Sequence, residues 1–261
     1  MRSPISQSVC QLALHLIGLL TFSLPFLLSR SSAAIFKLNN GIWFALGLSL
    51  IAVIGLIQQI SRQLLDSKII AIVGILAAVI SGLRLLGAGA LGIEPIWFLI
   101  ILSARALGPQ IGMSLAMISI MSSALLSGGV GPWLSYQILA AGWIAYGVWL
   151  IPKRLTNRGE IIALACYGIF SSFLFGILMD LQLWPWLTGI DTQLSYQDGA
   201  SIAANVQRFI MFHFATSMSW DIPRAIFTAT LIVLTGRAVL ATLRRALVRL
   251  NVREIPQAAL V

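Results

Sequence analysis

The chain has 261 residues, of which 59% are hydrophobic and 10% are charged, and its net charge is +9. A soluble core of this length could not bury so many apolar side chains, so the composition excludes a soluble protein and leaves no room for a separate soluble domain. The positive charge is typical of the cytoplasmic loops of membrane proteins, and the chain lacks the basic, aromatic-interleaved module that would bind nucleic acid.

Eight apolar segments have, or approach, the length of about 20 residues that a membrane-spanning helix needs. In chain order they lie near residues 9–29, 41–61, 68–86, 94–106, 109–127, 133–151, 160–182 and 222–243. The first resembles a signal peptide with a cleavage site at Ser32-Ala33-Ala34, but it is longer than the usual signal core of about 7–15 residues, so we expect an uncleaved anchor. The predicted fold class is an all-α integral membrane bundle of about eight spans.

The distribution of basic residues predicts the orientation of these spans. With the N-terminus inside, 12 of the 17 lysines and arginines lie on the cytoplasmic side and the other 5 lie outside, as the positive-inside rule requires. A further crossing at 203–220 would put the basic C-terminal tail outside, so we expect this stretch to be a helix that dips into the outer face. Both termini are then cytoplasmic, and the protein lies in the cell (inner) membrane.

Prolines agree with these helix boundaries. Pro95, Pro109, Pro132 and Pro223 each fall at or within the first turn of a predicted span, where a missing N–H costs little. Asp221 precedes the last of these prolines by two residues and is a suitable N-cap for the last span.

Motifs of familiar catalytic chemistry are absent from the sequence. It contains no phosphate-binding GxxxxGK(S/T) loop, no HExxH and no GxSxG. His15 and His213 lie in different segments and form no metal-ligand set with Cys10, while Cys10 and Cys166 fit the packing of apolar helices. We therefore expect no catalytic residue, no metal and no cofactor, and the protein is not predicted to be an enzyme.

Ionisable residues on the outer side are the first candidates for a site. Arg84 lies near the end of the third span, Glu94 begins the fourth, and Trp97 follows in its first turn. Charged groups at membrane depth are costly unless they are paired or hydrated, so they mark candidate functional positions. The alternative is a plain ion pair between Arg84 and Glu94 that holds two helix ends together, and the two interpretations are compatible.

A glycine-rich elbow at 128–132 joins the fifth and sixth spans on the outer side and is followed by Trp133 and Gln137. Glycine permits close approach of the backbone, so a tight turn is a sufficient explanation of the elbow itself. Trp133 could equally belong to the aromatic belt of the membrane interface. Gln137 needs a polar partner.

The outer segment 180–201 is rich in aromatic and acidic residues and contains no basic residue. Asp180 and Trp184 lie in it, and Asn205, His213 and Asp221 follow it. Aromatic faces with a few convergent polar groups are typical of a small-molecule pocket. The alternatives are a belt-and-lid structure with solvated acids and, for His213, a packed and hydrogen-bonded side chain.

The third span also contains a stripe of small residues, Gly74, Ala78 and Gly82, at four-residue spacing. Such a stripe lets another helix approach closely, and that helix can be internal or part of another protein.

Four segments together resemble one protein family: residues 82–112, 123–147, 167–186 and 212–246, with the motifs GVGPW and MDLQLWPW. From about residue 68 to residue 249 the chain resembles the substrate-binding S component of energy-coupling-factor (ECF) vitamin transporters. The two motifs look most like those of cobalamin-type or related members. The sequence departs from many relatives at Asp180, where they have asparagine.

The resemblance implies a six-helix S-component-like core at 66–250, preceded by two additional N-terminal spans at 1–65 and followed by a cytoplasmic tail at 251–261. It implies an outward-facing pocket for a vitamin or related small molecule. It also implies partners, namely a transmembrane T component and two cytoplasmic ATPases. The T component would pack on the stripe of Gly74, Ala78 and Gly82.

The predicted function is thus substrate capture for an ECF-type importer in the lipid bilayer. The predicted substrate-binding residues are Arg84, Glu94, Trp97, Trp133, Gln137, Asp180, Trp184, Asn205, His213 and Asp221. Two other functions stay open. One is an integral-membrane enzyme that acts on lipid through Asp180, Asp221 or His213, and the other is a scaffold subunit without a ligand.

Overall fold

The computed structural model describes residues 4–28, 43, 46–51, 53–55, 67–87, 92–187, 192–197 and 199–249. In these ranges the regular structure is helical. The helices are α1 (Pro4–Leu28), α2 (Ser67–Leu86), α3 (Trp97–Leu107), α4 (Pro109–Ser127), α5 (Leu134–Tyr146), α6 (Asn157–Leu183), α7 (Ile202–Thr216) and α8 (Met218–Arg249). The 3₁₀ turns Gly147–Leu150 and Trp184–Trp186 extend α5 and α6.

Within the described ranges, four helices are long and apolar enough to cross a bilayer: Ser67–Leu86, Pro109–Ser127, Asn157–Trp186 and Met218–Arg249. Shorter apolar helices lie at Leu12–Leu24, Leu46–Gly55, Trp97–Leu107 and Leu134–Leu150. Each of the eight predicted spans overlaps one of these segments. The predicted class, an all-α and multi-pass membrane protein, is confirmed in this coarse form.

Helix α3 lies at the centre of the bundle although it has only 11 residues. It packs against α4, α5, α6 and α8, and its buried residues run without interruption from Leu99 to Ala104. A helix that is apolar on all sides is expected to be enclosed in this way. At its end, Gly108 adopts a φ of +93°, which favours glycine, and turns the chain into α4. Pro109 is the first residue of α4, as predicted.

Helices α6 and α8 form the most extensive packing in the bundle. Glycines at their interface make this possible, because a Cβ added at Gly168 would lie 3.0 Å from Thr228 Cγ2 and one at Gly236 would lie 3.0 Å from Ile161 Cδ1. Small residues let two backbones approach closely, so the pair forms a tightly packed wall of the bundle.

The last span begins earlier than predicted. Helix α8 starts at Met218, and the Asp221 N–H donates to the carbonyl oxygen of Ser217 at 2.9 Å. Asp221 is therefore not the N-cap of this helix but lies inside its first turn, and Pro223 lies inside the helix. The predicted boundary was wrong because a proline within the first two turns was taken to mark the start of the helix.

The stretch predicted to dip into the outer face forms a separate helix, α7, of 15 residues, which is shorter than a span. Asn205, Phe209 and His213 are its buried residues, and they recur every four positions on one face. Because α8 follows after one residue, Ser217, α7 stays beside the start of α8.

Helix α1 packs against α6 and α7.

Several predictions fall outside the described residues: the cleavage site at Ser32-Ala33-Ala34, most of the second N-terminal span, and the tail at 251–261. Polar contacts join Arg84 to Ser123, Glu94 to Arg224, and Glu160 to Arg105 and Arg244, so two ends of the bundle can be distinguished. We call them the Glu94 end, where α2 finishes and α3 begins, and the Glu160 end, where α3 finishes and α6 begins.

Candidate ligand-binding site

Five of the ten predicted site residues meet in one buried group of side chains at the Glu94 end. They are supplied by the turn before α3, by α3 itself, by the last turns of α6, and by α7 and α8. We call this group the Asp221 cluster; its members are Glu94, Trp97, Asp180, His213, Ser217, Asp221 and Arg224.

Arg224 is the central cation of the Asp221 cluster. Its Nη1 donates to Asp221 Oδ1 at 2.7 Å and to the carbonyl oxygen of Ser172 at 3.3 Å. Its Nε lies 3.4 Å from Glu94 Oε2, and its guanidinium carbon lies 5.1 Å from the centre of the Phe175 ring. Through these contacts Arg224 joins α8 to α6 and to the turn before α3.

Glu94 is the most exposed of the three carboxylates in this cluster, with 30% of its side chain accessible. Its Oε2 accepts a hydrogen bond from Trp97 Nε1 at 2.5 Å. The Trp97 ring is buried, and its centroid lies 4.5 Å from that of Phe175. Glu94 therefore forms the outer edge of the cluster, and Arg224 lies beneath it.

His213 lies between two carboxylates. Its Nδ1 is 2.7 Å from Asp180 Oδ2, and its Nε2 is 3.8 Å from Asp221 Oδ2. The hydroxyl of Ser217 also donates to Asp180 Oδ2. Helix α7 supplies the histidine and the following turn supplies the serine, so α6, α7 and α8 are tied together here.

Two buried polar atoms of the Asp221 cluster lack a hydrogen-bond partner: Asp221 Oδ2 and Arg224 Nε. Asp221 is able to reach this position because Gly176 on α6 has no side chain, and a Cβ there would collide with the carboxylate. Each of them faces an opposite charge at ion-pair distance, Asp221 Oδ2 at 3.8 Å from His213 Nε2 and Arg224 Nε at 3.4 Å from Glu94 Oε2, so within the described residues one acceptor and one donor are paired by charge but not hydrogen-bonded. Within the described residues no group of three or more His, Cys, Asp or Glu side chains is arranged to hold a metal ion.

Arg84 and Gln137 form a second polar group at the same end. Arg84 Nη2 donates to Gln137 Oε1 at 2.9 Å, and Nη1 donates to Ser123 Oγ at 2.8 Å and to the carbonyl oxygen of Ile120 at 3.4 Å. These bonds brace α2 against α4 and α5. Among the described residues Arg84 and Glu94 make no direct ion-pair contact, because Glu94 turns toward Arg224 on α8, but their opposite charges still attract each other at longer range.

Trp184 and Asn205 hold the segment 192–197 against the bundle. Trp184 Nε1 donates to the carbonyl oxygen of Leu194 at 2.7 Å. The Asn205 side chain donates to the Gln197 carbonyl oxygen at 2.9 Å and accepts from the Gln197 N–H at 3.1 Å. Both predicted residues are buried, and all of these bonds go to backbone atoms of that segment.

Trp133 lies apart from the Asp221 cluster. It is 45% exposed, and its ring packs over Gly131 in the turn between α4 and α5. In the same turn Gly128 has a φ of +67° and ends α4. This placement fits the tight elbow and the interface belt better than a place in a pocket.

A third polar group, at the Glu160 end, was not predicted. Arg105 Nε donates to Glu160 Oε1 at 2.7 Å, and Arg244 donates to both Glu160 oxygens at 2.6 and 3.1 Å. Arg105 also donates to the carbonyl oxygens of Ile151 and Pro152 at 2.9 and 3.0 Å. Glu160 could have been noticed as the acid that begins a span at the otherwise basic side of the membrane.

Arg224 and Ser217 were likewise missing from the predicted site. Arg224 follows Asp221 by three residues, a spacing that places two side chains on the same helix face, and this signal could have found it.

The chain was compared with protein families, with curated proteins and with solved structures. No family model, no curated protein and no solved structure matches it.

Proposed function

We propose that this chain is the substrate-capture subunit of an ECF-type importer, which binds a vitamin or related small molecule at the Asp221 cluster. In this proposal the chain has an S-component-like core of six helices, α2 to α6 and α8. A transmembrane T component and two cytoplasmic ATPases supply the energy. The Glu94 end faces outward, as the distribution of basic residues predicts.

The observation that carries the proposal is that Asp221 Oδ2 and Arg224 Nε are buried and ion-paired but make no hydrogen bond within the described residues. Leaving a buried donor or acceptor without a hydrogen bond costs about 1–3 kcal/mol. A ligand that offers one donor and one acceptor would satisfy both atoms. Its path would lead past Glu94, the partly exposed edge of the cluster.

The packing of the helices also supports the proposal. Helices α4, α5, α6 and α8 pack against the central α3, and α2 packs on α4. Helix α1 lies at the side of these helices, where it contacts α5, α6 and α7. This arrangement agrees with a core of six helices to which N-terminal helices have been added.

The small-residue stripe on α2 supports a partner outside the chain. Gly74, Ala78 and Gly82 are exposed, and a Cβ added at Gly74 or Gly82 would meet no atom within 4 Å. A face of small residues that none of the described helices covers is open to a helix of another membrane protein.

In the proposed mechanism this chain captures the ligand, and the partner subunits supply the energy for transport. Arg224 and Asp221 would orient the polar part of the ligand, and His213 would position Asp221 and Asp180 between α6, α7 and α8. ATP hydrolysis in the partner subunits would then reorient the bundle and release the ligand on the other side. Because ligand contacts tie three helices together, binding and reorientation would be coupled through these helices.

The first test is a binding measurement on the purified chain alone, by native mass spectrometry and calorimetry against a panel of vitamins. We expect one compound to bind with a Kd below about 10 μM, equivalent to about −6.8 kcal/mol. The matched variants are Ser217→Ala, which removes a hydrogen bond to Asp180, and Ser219→Ala, whose hydroxyl is exposed two residues away. We expect the first variant to bind the ligand several-fold more weakly and the second to bind normally.

The same experiment separates the competing functions. An enzyme acting on lipid would turn over lipid substrates without partner subunits, and substitution of His213 or Asp180 would abolish that turnover. A scaffold without a ligand would bind no member of the panel, and Glu94→Ala would leave its assembly with partners unchanged. Either result would overturn substrate capture.

A further inference from the structure

A cavity of about 510 Å³ lies at the Glu160 end, on the opposite side of the bundle from the Asp221 cluster. We call it the corner cavity, because it lies at the corner where α3 turns into α4 at Gly108. Helix α3 has 11 residues and rises about 16 Å, whereas α8 has 32 residues and rises about 48 Å. The last turns of α8 therefore extend beyond the corner and leave a recess beneath them.

Cationic side chains from three separate elements line the corner cavity: Arg105 at the end of α3, Lys153 after α5, and Arg244 in α8. Glu160 is the carboxylate that pairs with both arginines. Among the described side chains of this group, three cations and one carboxylate leave an excess of two positive charges. Lys153 is exposed and forms no ion pair within the part of the chain that the structure describes.

The first residues of α4, from Pro109 to Ile111, also line the corner cavity. The N–H groups at the start of a helix carry a partial positive charge and favour an anion. Arg105 cannot turn away from the cavity, because its three donor groups are fixed by Glu160, Ile151 and Pro152. The charge of the cavity is thus built into the fold.

Other walls of the corner cavity are apolar and exposed. Val248 is 78% exposed and Trp149 is 61% exposed, and Leu247 lies beside them. An inorganic anion would gain nothing from such walls, whereas a lipid would cover them. We propose that the corner cavity binds an anionic phospholipid of the surrounding bilayer, with its headgroup phosphate toward Lys153, Arg244 and the last turn of α8 and its acyl chains along Trp149.

General attraction between a basic protein end and an acidic membrane is a weaker explanation. Arg154 and Arg158 are exposed at this end but do not line the corner cavity. If attraction were only general, each exposed basic residue there would contribute equally. The proposal instead predicts that Lys153 matters and that its neighbour Arg154 does not.

The test uses the purified full-length chain in a neutral detergent and counts bound lipid by native mass spectrometry. The probes are phosphatidylglycerol, phosphatidylcholine with the same acyl chains, and inorganic phosphate. We expect phosphatidylglycerol to bind with one-to-one stoichiometry, and we expect Lys153→Gln to weaken it about five- to tenfold. The control Arg154→Gln makes the same change of charge one residue away and should change the affinity less than twofold.

A second pair of variants changes the apolar wall without touching a charged contact. Val248→Glu puts a negative charge beside the proposed phosphate position, and we expect it to weaken phosphatidylglycerol binding more than tenfold. Val248→Gln introduces a side chain of the same size as glutamate but without its charge, and it should weaken binding only about twofold. Because Val248 is largely exposed, both variants should fold, which size-exclusion chromatography would check.

Four outcomes would overturn the proposal. Equal binding of phosphatidylcholine would show that the anionic headgroup is not recognised, and an equal effect of Arg154→Gln would show general attraction. Competition by inorganic phosphate at the same affinity would identify a free anion as the occupant. Binding that begins only after residues 251–261 are removed would show that the C-terminal tail occupies the cavity. None of these outcomes depends on the capture of a vitamin at the other end.

Discussion

Both ends of the bundle contain buried charged side chains, but the two groups differ in how completely they are paired. At the Glu160 end one carboxylate receives hydrogen bonds from Arg105 and Arg244, and the remaining donors of Arg105 reach backbone carbonyl groups. At the Glu94 end three carboxylates share one arginine and one histidine, and two buried atoms of this Asp221 cluster make no hydrogen bond within the described residues.

This difference in pairing indicates that one group of charges contributes to stability and the other to function. A fully satisfied network of buried charges fixes one arrangement of helices, whereas an incompletely satisfied one is costly and is usually retained for a purpose. We therefore interpret the Glu160 group as a structural lock between α3, α6 and α8. We interpret the Asp221 cluster as the place where the chain gives up stability for binding.

The largest effect is expected from Glu160→Gln. This change leaves the buried guanidinium of Arg105 without its carboxylate, and breaking a buried ion pair from one side typically costs about 3–5 kcal/mol. Reversible unfolding by SDS in mixed micelles would measure the loss. The exposed neighbour of the lock, Arg245→Gln, should change the free energy of unfolding by no more than about 0.5 kcal/mol. A loss below about 1 kcal/mol for Glu160→Gln would contradict the structural lock.

The next effect is expected from Gln137→Leu, which removes the acceptor of Arg84 between α2 and α5. Loss of a hydrogen bond to a charged group costs about 1.5–3 kcal/mol, so unfolding should become easier by that amount. If Arg84 and Gln137 only brace the helices, ligand affinity should stay within about twofold. Gln207→Leu, on an exposed face of α7, is the control for the change in side chain. A large loss of affinity with unchanged stability would instead place Gln137 in the ligand site.

The third variant, Gly176→Ala, tests the Asp221 cluster itself. The added methyl group would collide with the Asp221 carboxylate, so we expect a cost of about 1–3 kcal/mol together with loss of ligand binding. On the same helix, a Cβ added at Gly159 would lie 3.8 Å from Leu155 Cδ2, which is an ordinary contact. Gly159→Ala should therefore leave binding unchanged, and normal binding by Gly176→Ala would argue against the role of Asp221.

The smallest and most local effect is expected from Asn205→Ala. It removes both hydrogen bonds to the backbone of Gln197, each worth about 1 kcal/mol, and loosens segment 192–197. Hydrogen exchange at the Gln197 amide should become faster, while exchange in α3 and α8 should not change. Equally fast exchange throughout the bundle would show that Asn205 supports the whole fold.

The positions of the helices could be predicted from the sequence, because hydropathy and proline placement are local signals. Pro109 and Gly108 illustrate this, since one starts α4 and the other makes the turn before it. The start of α8 could not be predicted in the same way. The carbonyl oxygen of Ser217 accepts a hydrogen bond from the Asp221 N–H. This bond belongs to a helix that begins before the position that Pro223 indicated.

The partners of the charged residues could be predicted least. Arg84 and Glu94 are ten residues apart and were natural candidates for each other, yet Glu94 contacts Arg224, which is 130 residues further along the chain. Charges at the ends of helices have several neighbours in a bundle, and packing decides among them. For the same reason the pairing of Glu160 with Arg105 and Arg244 could not be predicted from the sequence.

The shortness of α3 has a consequence for how the protein is made. Its rise of about 16 Å is roughly half of the hydrocarbon thickness of about 30 Å, so this segment cannot settle in lipid by itself. Helix α3 packs on α4 and α5 but also on α6 and α8, so its enclosure is complete only after α8 has been synthesised. Stable packing of α3 must therefore wait for the second half of the chain, and a chain truncated before α8 should be an early target of membrane proteases.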